Sequence, residues 1–92
     1  MAETLSEEEL AAQLPDGWER DGEEIVRAFE FDTYLGGAGF AAGAAGLAEE
    51  AWHHPEITIR WREVEVRLTT HDAGGITDAD TTLAARLNDL FE

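Results

Sequence analysis

The fold is decided by residues 56–68, which read EITIRWREVEVRL. Two runs of apolar side chains alternate with polar ones along this stretch: Ile57, Ile59 and Trp61, followed by Val64, Val66 and Leu68. Because successive side chains of a β-strand point to opposite faces, each run predicts a strand with one apolar face. A tight connection around Arg62 joins the two strands, so we expect them to pair as an antiparallel hairpin.

A second hairpin is predicted upstream of the first. Its turn signal is Asp21-Gly22, which separates a short strand, Trp18–Arg20, from a longer one, Glu24–Phe31. Three large apolar side chains share one face of the longer strand: Ile25, Phe29 and Phe31. Arg27 falls on the same face, so its charge is expected to find a partner there.

Two short helices are predicted near the ends of the chain. The first begins at residues 6–9, SEEE, and ends at Pro15–Gly17, whereas the last begins at residues 77–80, TDAD. Both starts place a hydroxyl residue three positions before an acid, which is the capping-box pattern. Apolar residues at helical spacing follow each start: Leu10 and Leu14 in the first helix, and Leu83, Leu87 and Leu90 in the last.

A longer helix is predicted between the hairpins, from Asp32 or Thr33 to about Trp52, with Pro55 stopping it. Its buried stripe is expected to contain the alanines and three larger residues: Tyr34, Phe40 and Leu47. Glycine lowers helix propensity by up to about 1 kcal/mol per residue, yet the segment carries five: Gly36, Gly37, Gly39, Gly43 and Gly46. This density of small residues indicates close packing against the sheet or another helix.

The predicted order is helix, strand, strand, helix, strand, strand, helix. Paired hairpins in this order predict the α+β class: a two-layer sandwich with a four-stranded antiparallel sheet and three helices on one face. A chain of 92 residues has the length of one small domain, so residues 1–92 are predicted to form a single domain. The open face or an edge of so small a sheet needs cover, which favours a homodimer or homotetramer.

Charge is the strongest signal in the composition. Asp and Glu total 21 against six arginines and no lysine, a net charge of -15. Such a field repels phosphate backbones and anionic lipids, which argues against nucleic-acid and membrane partners. Solubility alone could explain the acidity, but the absence of lysine favours adaptation to a salty cytoplasm and hence a halophilic source.

Cysteine is absent from the sequence, which excludes disulfides, thiolate metal sites and cysteine nucleophiles. No apolar run approaches the ~18 residues of a membrane span, and no basic-then-apolar start indicates a signal peptide. We therefore expect a soluble, cytoplasmic protein.

All three histidines are predicted to lie at the ends of elements. His53 and His54 close the long helix, with Glu49 four residues before His53 on the same helical face. His71 follows the fourth strand. Since the third strand leaves the His54 corner and the fourth returns to it, antiparallel pairing allows His71 to meet the pair.

The residues themselves leave three interpretations of this cluster open. The first is that the histidines are surface residues without a role. The second is a metal site formed with Glu49, although adjacent histidines rarely chelate one ion. The third interpretation is acid–base catalysis without a metal, because histidine titrates near neutrality. Nucleophilic hydrolysis is disfavoured, since Ser6 is the sole serine and there is no cysteine.

A wider pattern surrounds the histidines. Residues 49–55, EEAWHHP, are followed after five residues by Trp61, after nine more by His71 and after eight more by Asp80. This arrangement resembles the signature of the pterin-4a-carbinolamine dehydratases. Further blocks agree with the family: LPDGW at 14–18, RAFEF at 27–31, TH at 70–71 and GIT at 75–77. The resemblance covers roughly residues 5 to 90, and the glycine-rich middle of the long helix departs from it.

The resemblance implies a lyase that dehydrates 4a-hydroxytetrahydropterin to quinonoid dihydropterin in tetrahydropterin recycling, with no cofactor and no metal. Matching the motif position by position implies that His53 and His71 are the acid–base catalysts. It implies that His54 orients or polarises the pterin and that Glu49 orients a histidine or raises its pKa. Substrate-binding positions are matched too: His54, Trp61 as a wall of the pocket, and Asp80, which either caps the last helix or holds a histidine.

The same resemblance also leaves an alternative class of function. Members of the family double as dimerisation cofactors of transcription factors, so a non-catalytic pterin-binding or coactivator module is the second hypothesis. The complete motif favours the enzyme.

Overall fold

A computed structural model describes residues 3–92, and its elements follow the predicted order. They are α1 (Glu7–Gln13), β1 (Glu19–Asp21), β2 (Glu24–Glu30), α2 (Tyr34–Ala51), β3 (Glu56–Ile59), β4 (Glu63–Leu68), a 3₁₀ turn (His71–Ala73) and α3 (Asp78–Phe91). The predicted α+β class and the order αββαββα are confirmed. The single domain over residues 1–92 stays a prediction, and its first two residues lie outside the described range.

The two hairpins join through their longer strands. The sheet order is β1-β2-β4-β3, and every neighbouring pair is antiparallel. The β2–β4 register places Ile25 opposite Leu68 and Phe29 opposite Val64. These four side chains lie on the face covered by the helices, where each is essentially inaccessible to solvent. The opposite face of the sheet carries charged side chains.

The core forms between that sheet face and the helices. Phe29 lies at its centre and contacts three other aromatic rings: Trp18, Phe40 and Phe91. Burying one such large side chain contributes about 1.5–3 kcal/mol. The helices close the core with small and branched residues: Leu10, Ala41, Ala44, Ala48, Leu83, Ala84 and Leu87.

Arg27 has partners on the core face of the sheet, as predicted, and all of them are neutral groups. Its Nη1 donates to Oδ1 of Asn88 at 2.6 Å and to the carbonyl of Asp16 at 3.1 Å. The guanidinium also lies 4.4 Å from the ring centroid of Phe29 and 5.1 Å from that of Phe91. Aromatic faces and carbonyl oxygens thus stabilise the cation at the edge of the core.

The capping predictions hold at the atomic level. Ser6 with Glu9 and Thr77 with Asp80 each form both hydrogen bonds of a capping box. The start of α2 is capped by Thr33, whose hydroxyl accepts from the amide of Gly36 at 2.9 Å.

Two sequence predictions about α2 need revision. Tyr34 is not part of the buried stripe, because its side chain is 58% exposed. In the first turn of α2, the residue that faces the sheet is Gly37, and the side chains of Phe31 and Val64 pack against it. Close packing holds at Gly37 and at Gly43, which lies against Leu90, whereas Gly39 and Gly46 face open space.

The third strand is shorter than predicted. Its alternation was expected to reach Trp61, but β3 ends at Ile59. The amide of Arg60 donates to the carbonyl of Glu63 at 2.7 Å, which closes the turn before Trp61 can continue the strand. Trp61 therefore lies in the turn and is exposed.

Candidate active site

The site is built where α2 ends and β3 begins. Trp52 ends the helix in the left-handed conformation, with φ 51° and ψ 47°, and its amide donates to the carbonyls of Ala48 and Glu49. The amide of His53 also returns to the carbonyl of Ala48, at 3.0 Å. The chain therefore reverses direction before the histidines, so neither His53 nor His54 continues the helical face of Glu49.

The imidazole of His53 contacts a carboxylate of α3. Its Nε2 lies 2.5 Å from Oδ1 of Asp80. The His53 side chain is 16% exposed and that of Asp80 is fully buried. The pair thus brings an imidazole from the end of α2 against a carboxylate in the first turn of α3.

Asp80 is also the centre of a buried chain of hydrogen bonds. Its Oδ2 accepts from the hydroxyl of Thr70 at 2.8 Å and from the amide of Thr77 at 2.9 Å. The hydroxyls of Thr70 and Thr77 lie 2.8 Å apart, so Thr77 can donate to Thr70 while Thr70 donates to Asp80. The two roles that the sequence left open for Asp80 are therefore combined: it caps α3 and holds a histidine.

His54 pairs with a different acid. Its Nε2 lies 2.5 Å from Oε2 of Glu49, and these side chains are 50% and 66% exposed. Helical spacing had aligned Glu49 with His53, and this alignment is wrong because the helix ends at Ala51. The histidine that Glu49 contacts is His54, and the role of Glu49 toward a histidine stays a prediction.

His71 reaches the same corner through β4. Thr70 and Gly75 exchange two backbone hydrogen bonds, which close the loop that carries the 3₁₀ turn and place His71 at its start. A cavity of about 240 Å³ opens at this corner, lined by Trp52, His53, His54, Thr69, Thr70, His71 and Asp72. One cavity thus collects all three histidines.

Trp61, another predicted site residue, does not line this cavity. It follows β3, whose four residues span about 13 Å at 3.3 Å per residue. The strand leads away from the His54 corner, and Trp61 is 71% exposed beyond its far end. A role for Trp61 in substrate binding stays a prediction.

Three further residues of the cavity have no role assigned from the sequence: Trp52, Thr69 and Asp72. Thr70 belongs to the TH block at residues 70–71, and the family resemblance assigns it no role. A signal existed for Trp52, since a large aromatic residue stands at a helix end where glycine or asparagine is usual. Nothing in the local pattern marks Thr70 as a partner of Asp80, because the two are ten residues apart in different elements.

The chemistry of the cavity is that of imidazoles, hydroxyls and carboxylates. Neither arginine nor lysine lines it, so it offers no fixed cation for a phosphate. Across residues 3–92, no three side chains of His, Cys, Asp or Glu come together in a way that could hold a metal ion. Imidazoles that line one small cavity can donate and accept protons near neutral pH.

The whole pattern has a match among known families. Residues 3–90 match the family model described as pterin 4 alpha carbinolamine dehydratase. This chain belongs to that family. Its relatives include a protein of Natronomonas pharaonis, 65% identical over the full length of both chains, and one of Haloarcula marismortui, 63% identical over the full length of both. Both carry the name "Putative pterin-4-alpha-carbinolamine dehydratase". These organisms are halophilic archaea, the kind of source that the charge balance predicted.

Solved structures of the family share the fold. The crystal structure of a transcriptional coactivator/pterin dehydratase from Brucella melitensis matches with a TM-score of 0.90 at 35% identity, covering 97% of this chain and 99% of that one. A pterin dehydratase-like protein identified as a RuBisCO assembly factor in the alpha-carboxysome matches with a TM-score of 0.69 at 27% identity, covering 82% and 89%. One fold therefore serves different functions, and the activity has to be argued from the site.

None of the helices within residues 3–92 is both long enough and apolar enough to cross a bilayer.

Proposed function

We propose that this protein is a cytoplasmic lyase that dehydrates 4a-hydroxytetrahydropterin to quinonoid dihydropterin in tetrahydropterin recycling. The observation that carries the proposal is the cavity where His53, His54 and His71 meet, with His53 held by the buried carboxylate of Asp80. Membership of the dehydratase family supports the same reaction.

The lining of the cavity suits the ring of this substrate. A pterin ring carries no phosphate, and the cavity has no arginine or lysine that would recognise one. The imidazoles can instead form hydrogen bonds with the polar edge of the ring, and the hydroxyl oxygen of Thr69, which donates its proton to the carbonyl of Glu23, can accept one more. A flat, uncharged and polar heterocycle is therefore the class of ligand that the cavity favours.

The reaction needs two proton transfers and no electron transfer. The bond between C4a and the hydroxyl oxygen breaks, and the oxygen leaves as water after receiving a proton from one imidazolium. The proton on N5 passes to a second, neutral imidazole, and the electron pair of that N–H bond forms the new C4a=N5 double bond. Solvent then restores both histidines, so each turnover releases one dihydropterin and one water.

His53 and His71 are the two proton-transfer residues in this proposal. Asp80 binds Nε2 of His53, so Nδ1 of His53 is the nitrogen left to exchange a proton with the substrate. His54, oriented by Glu49, helps to position the pterin. A positioned acid or base typically contributes a factor of ~10² to 10⁴ in rate.

The proposal is tested with synthetic 4a-hydroxytetrahydropterin, assayed at low and at multimolar salt. We expect His53→Ala and His71→Ala to lose about 10²-fold or more in kcat while their circular dichroism stays native. Asp89→Asn, on an exposed part of α3, serves as the control with unchanged turnover. Near wild-type turnover in both histidine variants contradicts the assignment.

Two other outcomes would redirect the proposal. Loss of activity on chelation, with recovery on adding zinc, would revive the metal interpretation. A wild-type protein that binds pterin without dehydrating it would support the non-catalytic pterin-binding or coactivator module instead.

We also propose that the protein works as a homodimer or homotetramer. The outer face of α2 supports this, because residues 34–48 carry no charged side chain in a chain of net charge -15. Tyr34 and Leu35 at the start of α2 are both exposed. Light scattering in high salt tests the proposal, and a clean 10 kDa species would contradict it.

A further inference from the structure

Trp52 occupies a backbone position that disfavours tryptophan. Its φ of 51° makes it the one non-glycine residue with positive φ within residues 3–92. The left-handed conformation brings the Cβ of an L-residue close to the next carbonyl oxygen, so helices that end this way usually carry glycine or asparagine there. A bulky residue in this conformation calls for a compensating reason.

Core packing does not supply that reason. The Trp52 side chain is 76% exposed, whereas Trp18 is buried and donates its indole N–H to Asn88. The protein therefore tolerates an unfavourable backbone conformation and an exposed indole at the same residue. Residues that are unfavourable for stability at their own position are typical of functional sites.

The cavity offers a reason for both features. Trp52 lines it beside His53, His54 and His71. Its ring lies 4.8 Å from the ring of His54, centroid to centroid, at an interplanar angle of 83°. This edge-to-face contact orients the indole at the rim of the cavity, where a flat ring can lie against it.

We propose that Trp52 is a substrate-binding residue that stacks on the pterin ring and positions it against the histidines. The left-handed helix end places the indole at the cavity, and the edge-to-face contact with His54 holds its orientation. This inference rests on the proposed dehydratase function, and it adds a residue to which the family resemblance assigns no role.

Three variants separate stacking from a structural role. Trp52→Gly and Trp52→Asn remove the ring and insert residues that accept the left-handed conformation, whereas Trp52→Phe keeps an aromatic ring in the same backbone. Stacking of a flat base on an aromatic side chain supports a loss of about 10-fold in affinity when the ring is removed. We expect the KM of the Gly and Asn variants to rise about 10-fold with kcat changed less than about threefold, and KM of Trp52→Phe to stay within about threefold of wild type.

Thermal denaturation of the same variants gives an independent readout. If Trp52 serves the substrate, the Gly and Asn variants melt at a higher temperature than the wild type, because the backbone is relieved. If Trp52 is structural, both variants melt at a lower temperature and KM is unchanged. That result, or a KM that stays unchanged with any melting temperature, overturns the inference.

A binding titration distinguishes failure of this inference from failure of the proposed reaction. The probe is 7,8-dihydrobiopterin, which lacks the 4a-hydroxyl and is not dehydrated. Weaker binding in Trp52→Gly, with a wild type that shows no dehydration, supports the stacking role and contradicts the reaction. An active wild type with equal binding in the variant contradicts the stacking role alone, and a wild type that neither binds nor reacts contradicts both.

Discussion

Two histidine–carboxylate pairs at one corner of the molecule have the same length and opposite surroundings. His53 and Asp80 are 2.5 Å apart and nearly inaccessible, whereas His54 and Glu49 are equally close but mostly exposed. Asp80 accepts two further hydrogen bonds from the protein. Water competes for an exposed pair, and breaking a buried one leaves several groups unsatisfied. Burial and additional partners, rather than distance, therefore determine how much each pair contributes.

The largest expected effect is the loss of stability when the buried carboxylate of Asp80 is removed, measured beside a separate variant that lacks the exposed carboxylate of Glu49. Asp80→Ala leaves the donors on His53, Thr70 and Thr77 without their acceptor, and each unsatisfied buried group costs about 1–3 kcal/mol. We expect a loss of about 2–4 kcal/mol in the free energy of unfolding and at least a ~10²-fold fall in kcat. Glu49→Ala, the matched variant on the surface, should change stability by less than about 0.5 kcal/mol.

Urea denaturation of both variants at one salt concentration measures the difference. Asp80→Asn keeps one acceptor oxygen and gives an intermediate variant should the alanine variant not fold. Equal losses from Asp80→Ala and Glu49→Ala would contradict the distinction between the pairs.

Salt sharpens the same comparison. Because the net charge is -15, repulsion weakens the folded state, and the Debye length falls from ~10 Å at 0.1 M to ~3 Å at 1 M salt. We expect the melting temperature to rise substantially between 0.1 M and 2 M potassium chloride. The small effect of Glu49→Ala should vanish in 2 M salt, whereas the effect of Asp80→Ala persists. A flat or falling melting temperature would leave the acidity as ordinary solubility.

A smaller loss of stability is expected when the hydroxyl of Thr70, which donates to Asp80, is removed. Thr70→Val removes the hydroxyl that connects Asp80 with Thr77 and keeps the shape of the side chain. We expect a loss of about 1–2 kcal/mol in the free energy of unfolding. Thr69→Val is the matched control for stability, since its hydroxyl donates to the carbonyl of Glu23 at the surface. Chemical denaturation of the two variants side by side tests this, and a Thr69 effect as large as that of Thr70 would contradict it.

An ion pair on the open face of the sheet, Glu65 with Arg67, is intermediate in burial between the two histidine pairs. Glu65 and Arg67 are both partly buried there. The Arg67 guanidinium donates to Glu65 and, with help from Arg60, holds the pKa of that carboxyl below its usual value, although partial desolvation opposes the shift. A lowered pKa in the folded state means that the ionised form stabilises the protein. This contribution is complete above the unfolded value of about 4.3 and is lost as pH falls through the folded value.

Glu65→Gln should therefore be less stable than the wild type at pH 7, by up to about 1 kcal/mol. The difference should shrink as pH falls below about 4. Urea denaturation at pH 7, 5 and 3 measures it, with Glu30→Gln on the same sheet face as the matched variant. A difference that stays constant or grows at acid pH would contradict the role of the Glu65 charge.

Much of the architecture was predictable because its signals are local. Alternation along residues 56–68 and the two capping boxes each depend on neighbours within a few residues. The errors arose where a local pattern continued past the end of its element. Trp61 extended an alternation beyond the strand, and Glu49 was aligned with His53 on a helix that had already ended.

The sequence by itself determined the order of elements, the apolar face of each strand and the corner at which the histidines gather. Those properties follow from the periodicity of side chains and from caps, which act within one element. Only the tertiary structure decided which acid holds which histidine, that Thr70 and Thr77 join Asp80, and that Trp52 stands at the cavity. These contacts depend on how α2, β4 and α3 are placed relative to one another, and that placement is set by packing around Phe29 rather than by any short stretch of chain.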